Sequence, residues 1–174
     1  MHCSRLYLTI QPSTCMGPMI IINAILLAVG HVSAAFLFYT THRWILHPRS
    51  ASRTLRSAAL QHRTHHAQPG DPGHFFFSWW VNVAIWGFTA LVAACSPALA
   101  MGMVTYYGAY AYYHRSSHYR GQSRAARHHQ GHHYVNPRSN FAVVYPAIDR
   151  LFGTRVVNIP EELDARMDKV KKAR

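Results

Sequence analysis

Acidic residues are scarce in this 174-residue chain: six Asp and Glu stand against 18 Lys and Arg and 14 His. A soluble domain draws much of its polar surface from Glu, Lys, Asp and Ser. With charged residues at 14% and apolar ones at 49%, that surface is missing. So few carboxylates also leave little for an acid-ligated metal site. Three cysteines, Cys3, Cys15 and Cys95, have neither pairing nor metal spacing, which excludes a disulfide framework and a cysteine-based zinc finger. GxGxxG, GxxxxGK[ST] and GxSxG do not occur, so a nucleotide fold or a serine hydrolase has no motif to rest on. There is no internal repeat, and the length suits one domain.

What is present is divided between apolar blocks and basic, histidine-rich blocks. From Pro18 to Thr40 no Lys, Arg, Asp or Glu occurs, and roughly 20 apolar residues at about 1.5 Å rise each cross a ~30 Å hydrocarbon layer. A second uncharged run extends from Phe75 to Cys95, with aromatics at its start, and a third from Pro97 to Tyr113. Ser96-Pro97 separates them, so they read as a helical hairpin with almost no loop. Two alternatives stand beside this reading: core helices of a soluble protein, and a signal peptide for the first run, with Val32-Ser33-Ala34 as cleavage site. Residues 1–15 fit neither, and Met16 or Met19 is a candidate start.

Charge sets the orientation, because basic loops stay in the cytoplasm. Arg43, Arg49, Arg53, Arg56 and Arg63 lie between the first and second runs, twelve Lys and Arg lie from Arg115 to Arg174, and Arg5 alone is left for the other side. The expected topology is N-terminus outside, three spans, C-terminus inside. The net charge of +12 would otherwise suggest nucleic acid, but a nucleic-acid surface interleaves basic and stacking residues. Here the aromatics fall in the apolar runs, so no nucleic-acid partner is expected.

Ten histidines form four clusters: His42 and His47; His62, His65 and His66; His114 and His118; His129, His132 and His133. Spacings of three and four put side chains on one helix face. The spacing of five between His42 and His47 does not, which leaves two readings: ligands to two different ions, or an unwound helix end. The first two clusters follow span one and the last two follow span three, so all four reach the same side. Imidazole suits Fe, Zn, Cu and Ni, and ten ligands exceed one coordination shell, so two ions are implied. Soluble di-iron bundles use Glu and Glu-x-x-His, and here only Asp71 and Asp149 lie near the clusters. His2, His31, His74 and His128 are read as non-ligands. His31 stands mid-span, where a packing hydrogen bond and a functional role both remain open.

The boxes HRWILH (42–47), HRTHH (62–66), HRSSH (114–118) and HHQGHH (128–133), followed by Asn140-Phe141 and Asp149-Arg150-Leu151-Phe152-Gly153-Thr154, resemble the fatty acid hydroxylase and sterol desaturase superfamily of membrane-bound di-iron oxygenases. The resemblance covers about residues 18–157 and treats residues 1–174 as a single domain. It implies an all-α integral membrane protein, about three transmembrane helices capped by a cytosolic, histidine-rich di-metal unit. It further implies two iron ions, with zinc able to occupy the site in purified material, and O2 as co-substrate for hydroxylation or desaturation of an unactivated C–H bond. The substrate would be a membrane lipid such as a fatty acyl chain, sphingolipid or sterol; carotenoid hydroxylases are similar short relatives. Carried over box by box, the ligands are His42, His47, His62, His65, His66, His114, His118, His129, His132 and His133.

Metal-bound imidazole needs an acceptor on its other nitrogen; backbone carbonyls, Asn136, Asn140 and Asp149 are the candidates. Asp149 and Gly153 can also be read as a helix-end and turn pair. Neutral imidazole is required for binding, so activity is expected to fall below about pH 6.5. Tyr106, Tyr107, Tyr110, Tyr112 and Tyr113 precede His114 and could line a lipid path, with Tyr106, Tyr110 and Tyr113 the chosen positions; interfacial packing is the competing role. No haem, flavin or iron–sulfur motif occurs, so electrons would come from a separate ferredoxin or cytochrome b5 type donor. A basic, narrowly amphipathic surface helix is expected over about 160–172. Two readings of other classes remain: a membrane metal transporter, which needs ligands within the spans, and a di-zinc hydrolase.

Overall fold

The computed structural model describes residues 16–48, 53, 55–77, 79–119 and 123–156. Residues 1–15 and the expected helix at 160–172 lie outside the described residues. All regular elements described are helical. Helix α1 (Met16–Thr41) passes into a π-helical turn (His42–Leu46); α2 (Arg56–Ala67), a 3₁₀ turn (Pro72–His74), α3 (Trp79–Cys95), α4 (Pro97–Tyr119), α5 (Arg124–Tyr134) and α6 (Pro146–Leu151) follow.

Together, α1 and its π-turn from Gly17 to Leu46 are long and apolar enough to cross a membrane; α3 is apolar but spans 17 residues. Helix α3 begins at Trp79 rather than at Phe75. Asp71 caps the 3₁₀ turn by accepting from the Gly73 amide at 2.9 Å, and the chain then carries Phe75 and Phe77 inward instead of along a helix. Their rings meet His118 and Tyr110. The Ser96-Pro97 break is where it was expected: Pro97 starts α4 at a position whose missing N–H costs nothing, and Ser96 Oγ accepts from the Leu99 amide at 3.3 Å.

Helix α1 packs chiefly on α4, and α4 on α3 and α5. The α1–α4 crossing is a backbone contact. A Cβ built on Gly30 would lie 2.0 Å from the Leu99 carbonyl oxygen, and one on Gly102 would lie 2.0 Å from that of Leu27. Small residues permit such close approach of two helix backbones. Below the crossing, Ala34, Ala35, Tyr39, Tyr106, Tyr110, Phe141, Val143 and Ile148 form the core. The outer faces of α1 and α3 present Ile20, Ile21, Ile25, Trp79, Val83 and Leu91 outward, all more than half exposed.

Helices α2 and α5 are polar in composition and turn histidines inward. Ala58, Ala59 and His65 are the buried residues of α2, while α5 buries Ala125, Ala126 and every residue from His128 to His132. Ser123 caps α5, its Oγ accepting from the Ala126 amide at 3.2 Å. The space a hydrophobic core would fill between these helices is filled by imidazoles.

Candidate metal centre

The π-turn resolves the odd spacing of the first box. Five residues along an α-helix at 3.6 per turn leave two side chains roughly 140° apart, whereas a π-turn closes on residue i+5. His42 and His47 therefore face the same way, with Nε2 atoms 3.2 Å apart. On α2, His62 and His66 sit one turn apart with Nε2 atoms at 3.1 Å, and His62 Nε2 lies 3.0 Å from that of His47. His132 completes this group, its Nε2 3.2 Å from His47 and 3.1 Å from His66. A second group joins His65, His114, His118, His129 and His133. Within it His65 and His114 approach to 3.1 Å, as do His129 and His133. In each group the donor atoms lie within 4.8 Å of one another.

Both HxxHH boxes are divided between the groups. The i, i+4 pair of α2 enters the first group and His65 the second; the i, i+4 pair of α5 enters the second and His132 the first. A residue at i+3 and one at i+4 differ by about 100° around a helix, so one box can serve two centres. The expectation that spacings of three and four put the histidines of a box on one helix face is corrected to this crosswise arrangement, in which each HxxHH box serves both groups.

Hydrogen bonding decides the tautomers of two ligand candidates. His42 Nδ1 lies 2.6 Å from the Phe141 carbonyl oxygen and His132 Nδ1 lies 2.6 Å from that of Ser139. A carbonyl oxygen only accepts, so both Nδ1 atoms carry the proton and both Nε2 atoms present lone pairs into the same space. Converging neutral lone pairs fit a cation, and the donor set is nitrogen alone, which suits a transition metal ion rather than Ca or Mg. Burial keeps these rings neutral. His47 is lowered to about 4, by burial first and by the nearby Arg63 second. His66 is lowered to about 3, by burial and then by His47, and burial followed by His114 takes His65 to about 2. His62, His129, His132 and His133 are also held well below the ordinary imidazole value, mainly by burial.

The two sides of the centre differ. One opens on a cleft of about 500 Å³ lined by His47, His62, Arg63, His66, His133 and Arg138. The other is closed by aromatic rings: Tyr110 lies flat on His114 (5.2 Å, 10°), Phe77 on Tyr110 (6.1 Å, 4°) and Phe75 on His118 (5.0 Å, 14°). Phe77 and Tyr110 stand between two cavities of about 20 Å³ each, one reaching His62, His65 and His114 and the other His42. Of the five tyrosines considered for a lipid path, Tyr110 is the one that stacks on a clustered imidazole. Tyr106 is buried against His31 and Phe38, Tyr107 donates to Asn82 Oδ1 at 2.7 Å, and Tyr112 and Tyr113 pack on each other. Phe75 and Phe77, which the uncharged run from Phe75 to Cys95 would have placed in the second span, instead precede α3 and pack against the clustered site.

The acceptors on His42 and His132 are the backbone carbonyls of Phe141 and Ser139; the side chains of Asn136, Asn140 and Asp149 are engaged elsewhere. Asn136 Oδ1 accepts from the Arg138 amide, Asn140 Oδ1 from the Val156 amide, and Asp149 from His128 and three other donors. His31 bridges Thr105 Oγ1 (2.9 Å) and Tyr145 Oη (2.6 Å), a packing link between α1, α4 and the turn before α6. His74 pairs with Asp71 at 3.6 Å on the surface.

An all-helical chain with two all-imidazole groups, one largely buried and one half-buried, at the end of an apolar helix has the donor set of a transition-metal site. Residues 27–154 match the fatty acid hydroxylase family, and the chain belongs to that family. A solved structure described as full-length Scs7p, with only its hydroxylase domain visible, has the same fold: TM-score 0.66 at 24% identity over 79% of this chain. This chain spans 57% of that neighbour. No relative is found among curated proteins.

Proposed function

We propose that this protein is an O2-dependent di-iron lipid hydroxylase or desaturase, embedded in a membrane with its metal centre on the cytoplasmic side. The observation that carries this reading is the division of ten imidazoles into two groups of five, within a chain of the fatty acid hydroxylase family. Two iron ions held there would supply the activation of O2 that oxidation of an unactivated C–H bond demands. His42 and His132, fixed by carbonyls, would hold one ion with His47, His62 and His66; His65, His114, His118, His129 and His133 would hold the other. Phe75, Phe77 and Tyr110 exclude water from the apolar side, where a fatty acyl, sphingolipid or sterol C–H bond would approach from the bilayer.

Three membrane spans, α1, α3 and α4, with the N-terminus outside, are supported by the apolar exposed faces of α1 and α3 and by the basic loops. Electrons would come from a separate ferredoxin or cytochrome b5 type protein. A transporter reading asks for ligands inside the spans, and among the described residues His31 there is already held by Thr105 and Tyr145.

The test is to express the chain and its His132→Ala variant in the same cells and compare lipid extracts by mass spectrometry. The wild type is expected to add an oxygen atom to a lipid, or remove a pair of hydrogens, and the variant to do neither. Identical extracts under aerobic, iron-replete conditions, with both proteins present at equal level, would overturn the reading.

A further inference from the structure

Residues 139–142 run between α5 and α6 as a strap whose carbonyls hold two imidazoles of one group: Ser139 holds His132 and Phe141 holds His42. The strap itself is held by one carboxylate. Asp149, wholly buried, takes the Phe141 amide (2.8 Å) and the Thr154 hydroxyl (2.7 Å) on Oδ1, and the Ala142 amide (2.7 Å) and His128 Nε2 (2.8 Å) on Oδ2. Thr154 closes the loop by accepting the Asn140 amide on its carbonyl at 2.9 Å. Asn140 adopts the left-handed conformation, φ 56°, which turns the strap so that carbonyls on both sides of it reach the imidazoles.

The strap's two carbonyls go to imidazoles of the first group, His42 and His132. Nδ1 of His65, His129 and His133 is buried with no hydrogen-bond partner among the described residues. Through the strap the carboxylate thus reaches the first group of five, while its bond to His128 on α5 is common to both.

We propose that Asp149 is a positioning residue for the His42, His47, His62, His66 and His132 group, acting through the main chain of residues 139–142 and so setting that group's affinity for a divalent transition metal. The inference rests on the proposed metal-centre reading. A carboxylate accepting four donors makes charge-assisted bonds on both oxygens. An amide of the same size cannot replace it: whichever way Asn turns, its NH2 faces a backbone N–H that needs an acceptor. The strap then loses one of its two anchors, and the Phe141 and Ser139 carbonyls lose their register with the rings. Loss of such an outer acceptor typically weakens metal binding about 10–100-fold.

The experiment is a Co²⁺ titration of the full-length, metal-stripped protein in detergent, followed by visible absorption. Asp149→Asn is read in two backgrounds: His118→Ala, which disables the second group, and His62→Ala, which disables the first. About 10–100-fold weaker Co²⁺ binding is expected in the His118→Ala background and none of that loss in the His62→Ala background. Thr154→Val, nearly isosteric, removes one donor to Asp149 and is expected to shift the same site in the same direction by less, which covers the case of poor folding of Asp149→Asn. Equal weakening in both backgrounds marks a general structural role and overturns the inference, as does no weakening in either. A wild-type chain that takes up no Co²⁺ overturns the metal-centre reading and the inference together; two ions bound with Asp149→Asn unchanged overturns the inference alone.

Discussion

The rings of His66 and His133 stack at a centroid separation of 4.1 Å and 21°, although each belongs to a different group of five. The two centres are thus in van der Waals contact through their own ligands, with α2 and α5 each contributing to both. Movement of either helix changes both sites at once.

Removing one ligand that is not itself part of that stack should separate the sites. His118→Ala and His47→Ala are each expected to lower the metal content of the purified protein from about two ions to about one, and to abolish oxidised lipid product. Elemental analysis checks this. A loss of both ions in each variant would mean that the groups fill only together.

Phe77 stands between two cavities that are each about 20 Å³, room for about one water and too small for a lipid chain. Phe77→Ala should merge them along the face of Tyr110. The expected result is a broader range of oxidised chain lengths or branching in lipid extracts, accompanied by a stability loss of about 3–5 kcal/mol, typical of Phe truncation in a core. An unchanged product profile at equal expression would remove Phe77 from the substrate path.

The buried imidazoles make the metal-free fold sensitive to acid. In the unfolded chain they titrate near 6.5; in the fold His47 is lowered to about 4 and His66 to about 3. Between these values the unfolded state binds protons that the folded state does not, so stability falls as pH drops through about 6.5, and further protonation of the fold begins near 4. The sequence alone suggested loss of ligation below about pH 6.5, whereas burial moves the loss from the lone pairs to the fold. Thermal melts of chelator-treated protein should drop steadily from pH 7 to 5, and bound metal should protect against it. A flat melting temperature over that range would contradict the burial of these rings.

At the α1–α4 crossing, a methyl group on Gly102 would meet the Leu27 carbonyl oxygen at 2.0 Å. Gly102→Ala must push the helices apart, at a cost of about 1–3 kcal/mol for overpacking. A lower melting temperature in detergent is expected. Gly108, whose added Cβ meets nothing within 4 Å, should accept the same change with little effect.

Much of the site was legible because helix periodicity is local. Pairs at i, i+4 such as His62 and His66, or His129 and His133, share a face in any helix, and topology alone put the four boxes at one end of the apolar runs. Composition likewise identified the apolar helices and, through the shortage of acids, a shell of nitrogen rather than oxygen. Three features depended on contacts distant in sequence. The π-turn that aligns His42 with His47 leaves no mark in residue spacing that distinguishes it from an unwound end. The division of each HxxHH box depends on how α2 and α5 lie against each other. The acceptors on His42 and His132 are carbonyls, which every residue possesses, so the choice of Phe141 and Ser139 follows from where the strap rests. Sequence by itself determined which side chains could bind a metal and that they gather at one end of the apolar runs. The tertiary structure decided which imidazole joins which group and what orients it, because those depend on the packing of helices and a strap far apart along the chain.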